Sequence, residues 1–133
     1  SDYGEAYTGR YDFTDYEAKY EIEPITGEKH FVLARVQGAC RSYAFGFDGE
    51  GRISLLKKRG VGFERLDSAP FDWKRNCAYT LVISVKGDQI TGRCGDTTLA
   101  FCDEAPYMKG GTGVAVRCGS HMAVKSIAVA PLQ

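Results

Sequence analysis

Two kinds of chemistry could be written with the side chains of this sequence: acid–base work by carboxylates, and recognition of a polar ligand by arginine and aromatic rings. The acidic candidates are Glu17, Glu21 and Glu23, which share one parity of a short run. Glycoside hydrolysis needs two carboxyl groups flanking the scissile bond, about 5–9 Å apart. Retaining enzymes that carry both on one strand arrange them as Glu-x-Asp-x-x-Glu. Here Lys19 stands between the glutamates and no aspartate occupies the required place, so they read as the wet face of a strand. No Gly-x-Ser-x-Gly elbow, phosphate loop or His-Glu-x-x-His is present, which removes the catalytic classes most visible in a sequence. His30, beside a turn, and His121, after Gly119-Ser120, read as surface histidines. The five cysteines, Cys40, Cys77, Cys94, Cys102 and Cys118, contain no Cys-x-x-Cys pair, and no zinc site is expected from them.

The recognition candidates lie in the middle of the chain. A polar ligand with C–H faces, such as a sugar, needs an apolar platform beside planar hydrogen-bonding groups. Arg35 and Gln37 share a parity in one apolar run, Arg41 and Tyr43 in the next, and Lys57, Arg59 and Trp73 become neighbours if these strands line one sheet. Each has a plainer alternative. Tyr43 shares its parity with Phe45 and Phe47 and fits a core, and Trp73 fits a plug at the sandwich edge. Arg35 stands out because a charge inside Phe31-Val32-Leu33-Ala34-Arg35-Val36 needs a partner. That partner is either a ligand or an internal carboxylate such as Asp15 or Glu17. The basic run Lys57-Lys58-Arg59 could meet phosphate oxygens, or simply be a solvated strand end. Asp48-Gly49-Glu50-Gly51 offers oxygen ligands of the kind calcium takes, but acidic residues on glycine also make a hairpin turn. The metal expectation is therefore none, with calcium as the alternative.

The elements that must position these residues are strands. Tyr16, Ala18, Tyr20 and Ile22 alternate with Glu17, Lys19, Glu21 and Glu23, a period of two that describes one buried and one wet face. Further runs at 31–37, 41–47, 52–58, 79–85, 89–94, 97–102, 113–118 and 122–129, with a weaker one around Leu66, are separated by Gly, Asp and Pro punctuation about every ten residues. Tyr79-Leu81-Ile83-Val85 is the clearest core strand. About ten strands without helical periodicity make a sandwich or barrel.

With 133 residues and 44% hydrophobic content, one domain spanning 1–133 is expected. Lys plus Arg equals Asp plus Glu at 17 each, which gives no reason to expect nucleic acid or an anionic membrane as partner. No apolar run approaches the roughly 20 residues of a membrane span. The opening Ser1-Asp2-Tyr3-Gly4 lacks the regions of a signal peptide and suggests a segment of a larger protein. Scattered cysteines in odd number point to a reducing, cytoplasmic setting.

The order of these features resembles the concanavalin A-like and laminin G-like jelly rolls found as bacterial carbohydrate-binding modules and beside glycoside-processing or ADP-ribosylglycohydrolase-like enzymes. The residues that carry the resemblance are Phe13-Thr14-Asp15-Tyr16, Arg35-Val36-Gln37 with Arg41-Ser42-Tyr43, Arg52-Ile53-Ser54-Leu55 and Trp73. Tyr79 to Val85 with the Lys86-Gly87-Asp88 turn follows, then Gly110 to Gly113 and the closing Val124 to Val129. The resemblance implies an all-β, two-sheet antiparallel jelly-roll sandwich. It also implies a non-catalytic, monomeric accessory module that binds a glycan or ribosyl group, with a carbohydrate or a parent catalytic domain as partner. It supplies no motif for the site, and the residues expected there from strand face and residue type are Arg35, Gln37, Arg41, Tyr43, Lys57 and Trp73. A protein-interaction sandwich without a small ligand and a small glycoside hydrolase are the alternatives.

Overall fold

The computed structural model describes residues 3–9, 14–117 and 119–132, with side chains from residue 14 onward. Phe13 and Cys118 therefore lie outside the described residues. Among the described residues eleven strands run in order: β1 (Tyr3–Gly9), β2 (Tyr16–Thr26), β3 (Lys29–Val36), β4 (Arg41–Asp48), β5 (Arg52–Arg59), β6 (Gly62–Pro70), β7 (Tyr79–Lys86), β8 (Gln89–Cys94), β9 (Thr97–Cys102), β10 (Gly111–Arg117) and β11 (His121–Pro131). A 3-10 turn, Gly38–Cys40, joins β3 to β4. No helix among the described residues is long and apolar enough to cross a membrane.

The strands form two antiparallel sheets, a six-stranded one ordered β1-β10-β3-β4-β5-β6 and a five-stranded one ordered β11-β2-β7-β8-β9. Alternation decides which side chains meet. Tyr16, Ala18, Tyr20 and Ile22 of β2 face Val32, Phe45, Phe47, Ile53 and Leu55 of the opposite sheet, with Leu81, Ile83 and Val85 of β7 beside them, and all are fully buried. Their burial is the main stabilising force, at about 25 cal/mol per Å2 of apolar surface removed from water. The packing is close enough to require glycine at one inward position. A Cβ on Gly92 would lie 2.2 Å from the Phe45 ring.

Two buried tyrosines tie the sheets together by polar bonds. Tyr20 donates to Leu33 O and accepts from the Gly113 amide. Tyr16 accepts from the Arg35 amide and donates to Gly111 O. These bonds stitch β2 of one sheet to β3 and β10 of the other, which fixes how the sandwich halves register.

Candidate functional site

Arg35 sits on a β-bulge. Gly111 pairs with Val36 and Gly113 with Leu33, so Ala34 and Arg35 oppose the single residue Thr112. The bulge takes Arg35 to φ 48°, a region that L residues rarely occupy. Strand parity ends there, so Arg35 does not share a solvent face with Gln37. The Arg35 side chain is fully buried, and its guanidinium bonds Thr14 O (3.0 Å), Gly87 O (2.6 Å), Tyr107 O (2.8 Å) and Asp15 Oδ1 (3.1 Å). Of the two partners open from the sequence, the internal one, Asp15, is the one formed. Asp15 also accepts the Gly87 amide. Arg35 thus staples three loops instead of facing a ligand.

Tyr43 and Lys57 are likewise interior. They lie opposite each other on β4 and β5 and converge on Asp103. Lys57 Nζ stands 2.6 Å from Asp103 Oδ2 and 2.8 Å from Ala105 O, and the Tyr43 hydroxyl donates to the same Oδ2 at 2.6 Å. Burial pushes the Asp103 carboxyl up, but the bonds from Lys57 and Tyr43 outweigh it and hold the group below its ordinary range. The Tyr43 hydroxyl also accepts from the Tyr107 amide. This network clips the loop between β9 and β10 onto the six-stranded sheet.

Trp73 is buried, stacked on Phe47 at 4.9 Å, with its indole N–H donated to Gly49 O. Its edge still reaches a small polar pocket of about 200 Å3 lined by Glu50, Asp72, Lys74 and Arg75. His30, read as a surface residue, is buried beneath it, edge-on to the indole at 5.5 Å, and burial lowers its pKa. Gln37 is half-buried with its amide donating to Lys109 O, and Arg41 is exposed at the start of β4 opposite Arg59. The six residues expected from the sequence therefore do not converge on one surface. Four are interior, because the parity that grouped them points inward or is broken by the bulge.

The two outward faces differ. On the five-stranded sheet Glu17, Lys19, Glu21 and Glu23 line β2 in ordinary wet fashion, with Glu17 accepting from Ser84 and Glu23 paired with Lys125. On the six-stranded sheet the outward positions of β3, β4, β5 and β10 hold Phe31, Leu33, Ala44, Leu56 and Ala115, a second apolar cluster against which Phe63 of β6 packs. Phe63 stacks on Phe31 with ring centroids 6.2 Å apart, and the Arg117 guanidinium lies over the Phe63 ring at 4.9 Å. Arg117, Phe63, Lys58, Cys40, Ala39 and the hairpin residues Gly60 and Val61 line a pocket of about 390 Å3.

On the same face Asp48 receives Lys29 (2.6 Å) and Arg65 (2.8 Å), with Arg52 Nε at 4.0 Å. Three cations around one carboxylate leave no room for calcium there, and no cluster of three or more His, Cys, Asp or Glu residues able to hold a metal occurs among the described residues. Burial raises the Asp48 pKa, but bonds from Lys29 and Arg65 outweigh it and bring the value from 3.8 to about 2. A carboxylate whose folded pKa is depressed stabilises fully above its unfolded pKa, near 4, and loses that contribution as pH falls through about 2. Asp48→Asn should therefore cost roughly 2 kcal/mol at neutral pH and flatten the acid limb between about pH 4 and 2, measured by urea unfolding at stepped pH.

Phe63 and Arg117 escape sequence reasoning because their meeting depends on register. Lys58 pairs with Phe63 across β5 and β6, and Arg117 pairs with Lys29 across β10 and β3. No spacing within either segment announces the other.

No protein-family model matches the chain, and none of the curated proteins is similar to it. Solved structures are. The carbohydrate-binding module CBM66 from Bacillus subtilis superposes with a TM-score of 0.77 at 13% identity, over 95% of this chain and 76% of that one. The exoplasmic/lumenal domain of VIP36, in a form bound to Ca2+ and Man3GlcNAc, gives 0.75 at 12% identity over 98% and 74%. The fold is a concanavalin A-like jelly roll. Chicken galectin 2 shares this jelly roll over 95% of this chain and 97% of its own, with a TM-score of 0.69 at 12% identity. At such identities the likeness is one of architecture, and what the jelly roll binds has to be argued from its own side chains.

Proposed function

We propose that the domain binds carbohydrate in the pocket beside Phe63, as a non-catalytic module serving a larger protein. The observation that carries this reading is an apolar, cation-edged pocket on one outward face of a sandwich whose other outward face is ordinarily wet. Phe63 and the almost fully exposed Val61 supply apolar surface for the C–H faces of a sugar ring. The forked Arg117 guanidinium beside them supplies planar donors for its oxygens. The jelly-roll neighbours support it, since CBM66 is named a carbohydrate-binding module and VIP36 was solved with a mannose-containing glycan. Joined to a catalytic domain, such a module would raise that domain's effective concentration at its substrate.

The reading concerns binding and not turnover, and its test is a glycan array followed by calorimetry on the hits. Phe63→Ala should lower affinity at least tenfold, about 1.4 kcal/mol. Phe63→Tyr should retain most of it, which separates loss of the ring from loss of fold. A blank array, or hits that Phe63→Ala leaves intact, would sink this reading and favour a surface for protein contact.

A further inference from the structure

Resting on the pocket reading above, we infer that the saccharide it takes carries an oxyanion, a carboxylate or a sulfate, and that Arg117 is the residue that selects it.

The formal net charge is zero, yet charge is not spread evenly over the sandwich. Register places Lys29, Arg52, Lys58, Arg65 and Arg117 on the outward face of the six-stranded sheet, and Asp48 is the acid among the described side chains there. Asp48 is bonded to Lys29 and Arg65, with Arg52 near it, and does not line the pocket, although Lys29 is the cross-strand neighbour of Arg117. Among the described residues that line the pocket there is no carboxylate, whereas Arg117 and Lys58 are there. Lys58 is held by Ala39 O at the pocket's edge. Arg117 is half-buried and its contact is the Phe63 face, with no ion pair to any described carboxylate.

A guanidinium lying over an aromatic ring has one face covered by the ring, and its N–H groups at the edge stay available to a ligand. That edge matches a carboxylate or sulfate with two parallel charge-assisted bonds, roughly twice as strong as the neutral bonds a hydroxyl offers. Carbohydrate sites for neutral sugars set acceptors beside donors, because each hydroxyl is both. Among the described residues the side chains edging this pocket are donors, which suit an anionic group better than a hydroxyl that must also donate.

The test compares oligogalacturonides with their methyl esters, which differ in charge and little else, and a sulfated with a desulfated glycan, by calorimetry at about 0.02 and 0.3 M salt. The expected result is at least tenfold tighter binding of one free acid or sulfate than of its neutral counterpart, weakened by salt as screening requires. Arg117→Gln should erase that preference, and Arg93→Gln on the opposite face should leave it unchanged. Equal binding of charged and neutral partners would overturn this inference while leaving carbohydrate binding intact. Equal losses with Arg117→Gln and Arg93→Gln would mean diffuse attraction to polyanions and would overturn it as well. Failure of every glycan, charged or neutral, would remove the pocket reading itself.

Discussion

Arg35→Ala is expected to destabilise the domain by about 3 kcal/mol, the cost of removing a buried guanidinium that makes four hydrogen bonds, one of them to a partly exposed carboxylate. The guanidinium satisfies carbonyls from three separate segments, Thr14, Gly87 and Tyr107, together with the Asp15 carboxylate. Removing it leaves those acceptors without the donor that satisfies them. Burial lowers the Arg35 pKa and Asp15 opposes that shift, but an arginine remains charged at any ordinary pH. Arg35→Lys should recover only part of the loss, since one ammonium cannot reproduce a fork aimed at four acceptors. The check is urea unfolding with the slope monitored, because a released loop would also change the surface exposed. Saccharide binding by Arg35→Lys, measured where the variant is folded, should equal that of the parent. Loss of binding in a fully folded Arg35 variant would place the guanidinium at the ligand and refute its role as a staple.

Arg35 also shows where sequence reasoning reached and where it stopped. A charge inside an apolar run demanded a partner, and the period-two pattern of Tyr16 to Ile22 and Tyr79 to Val85 exposed the core strands that hold the sandwich. Both signals are local. The strand Tyr3–Gly9 carries no such signal, because Gly4, Ala6, Thr8 and Gly9 are small and include no large apolar residue that would mark a buried face. The grouping of Arg35 with Gln37 failed at a bulge created by pairing with Gly111 and Gly113, more than seventy residues away. The pocket was invisible for the same reason. Its lining comes from the turn before β4, the hairpin between β5 and β6, and the end of β10. Composition could say that the chain owned arginine and aromatic rings, but only strand register says which arginine lies on which ring.

Lys57→Met should cost about 3 kcal/mol or more, although the substitution keeps most of the side-chain volume. Lys57 is almost fully buried, and its ammonium serves Asp103 and Ala105 O while standing 4.7 Å from the Tyr107 ring centre. Without it the Asp103 carboxylate keeps the Tyr43 hydroxyl and the Ala105 amide but carries a buried charge with no counterion. Asp103→Asn alone should be similarly harmful, because it strands the ammonium. The two together should fall short of the sum by about 1–3 kcal/mol, the coupling expected of residues in one network. The loss should also be uneven along the chain. Tyr107 donates its amide to Tyr43 and its hydroxyl to Lys58 O, so hydrogen exchange in Lys57→Met should rise first at Ala105 and Tyr107, before the core amides of β2 and β7. Uniform acceleration across the sandwich would mean that Lys57 supports the whole fold, and selective acceleration that it holds one loop. The second outcome follows from the geometry, because all of its polar bonds end within residues 103–105 and none crosses to the five-stranded sheet.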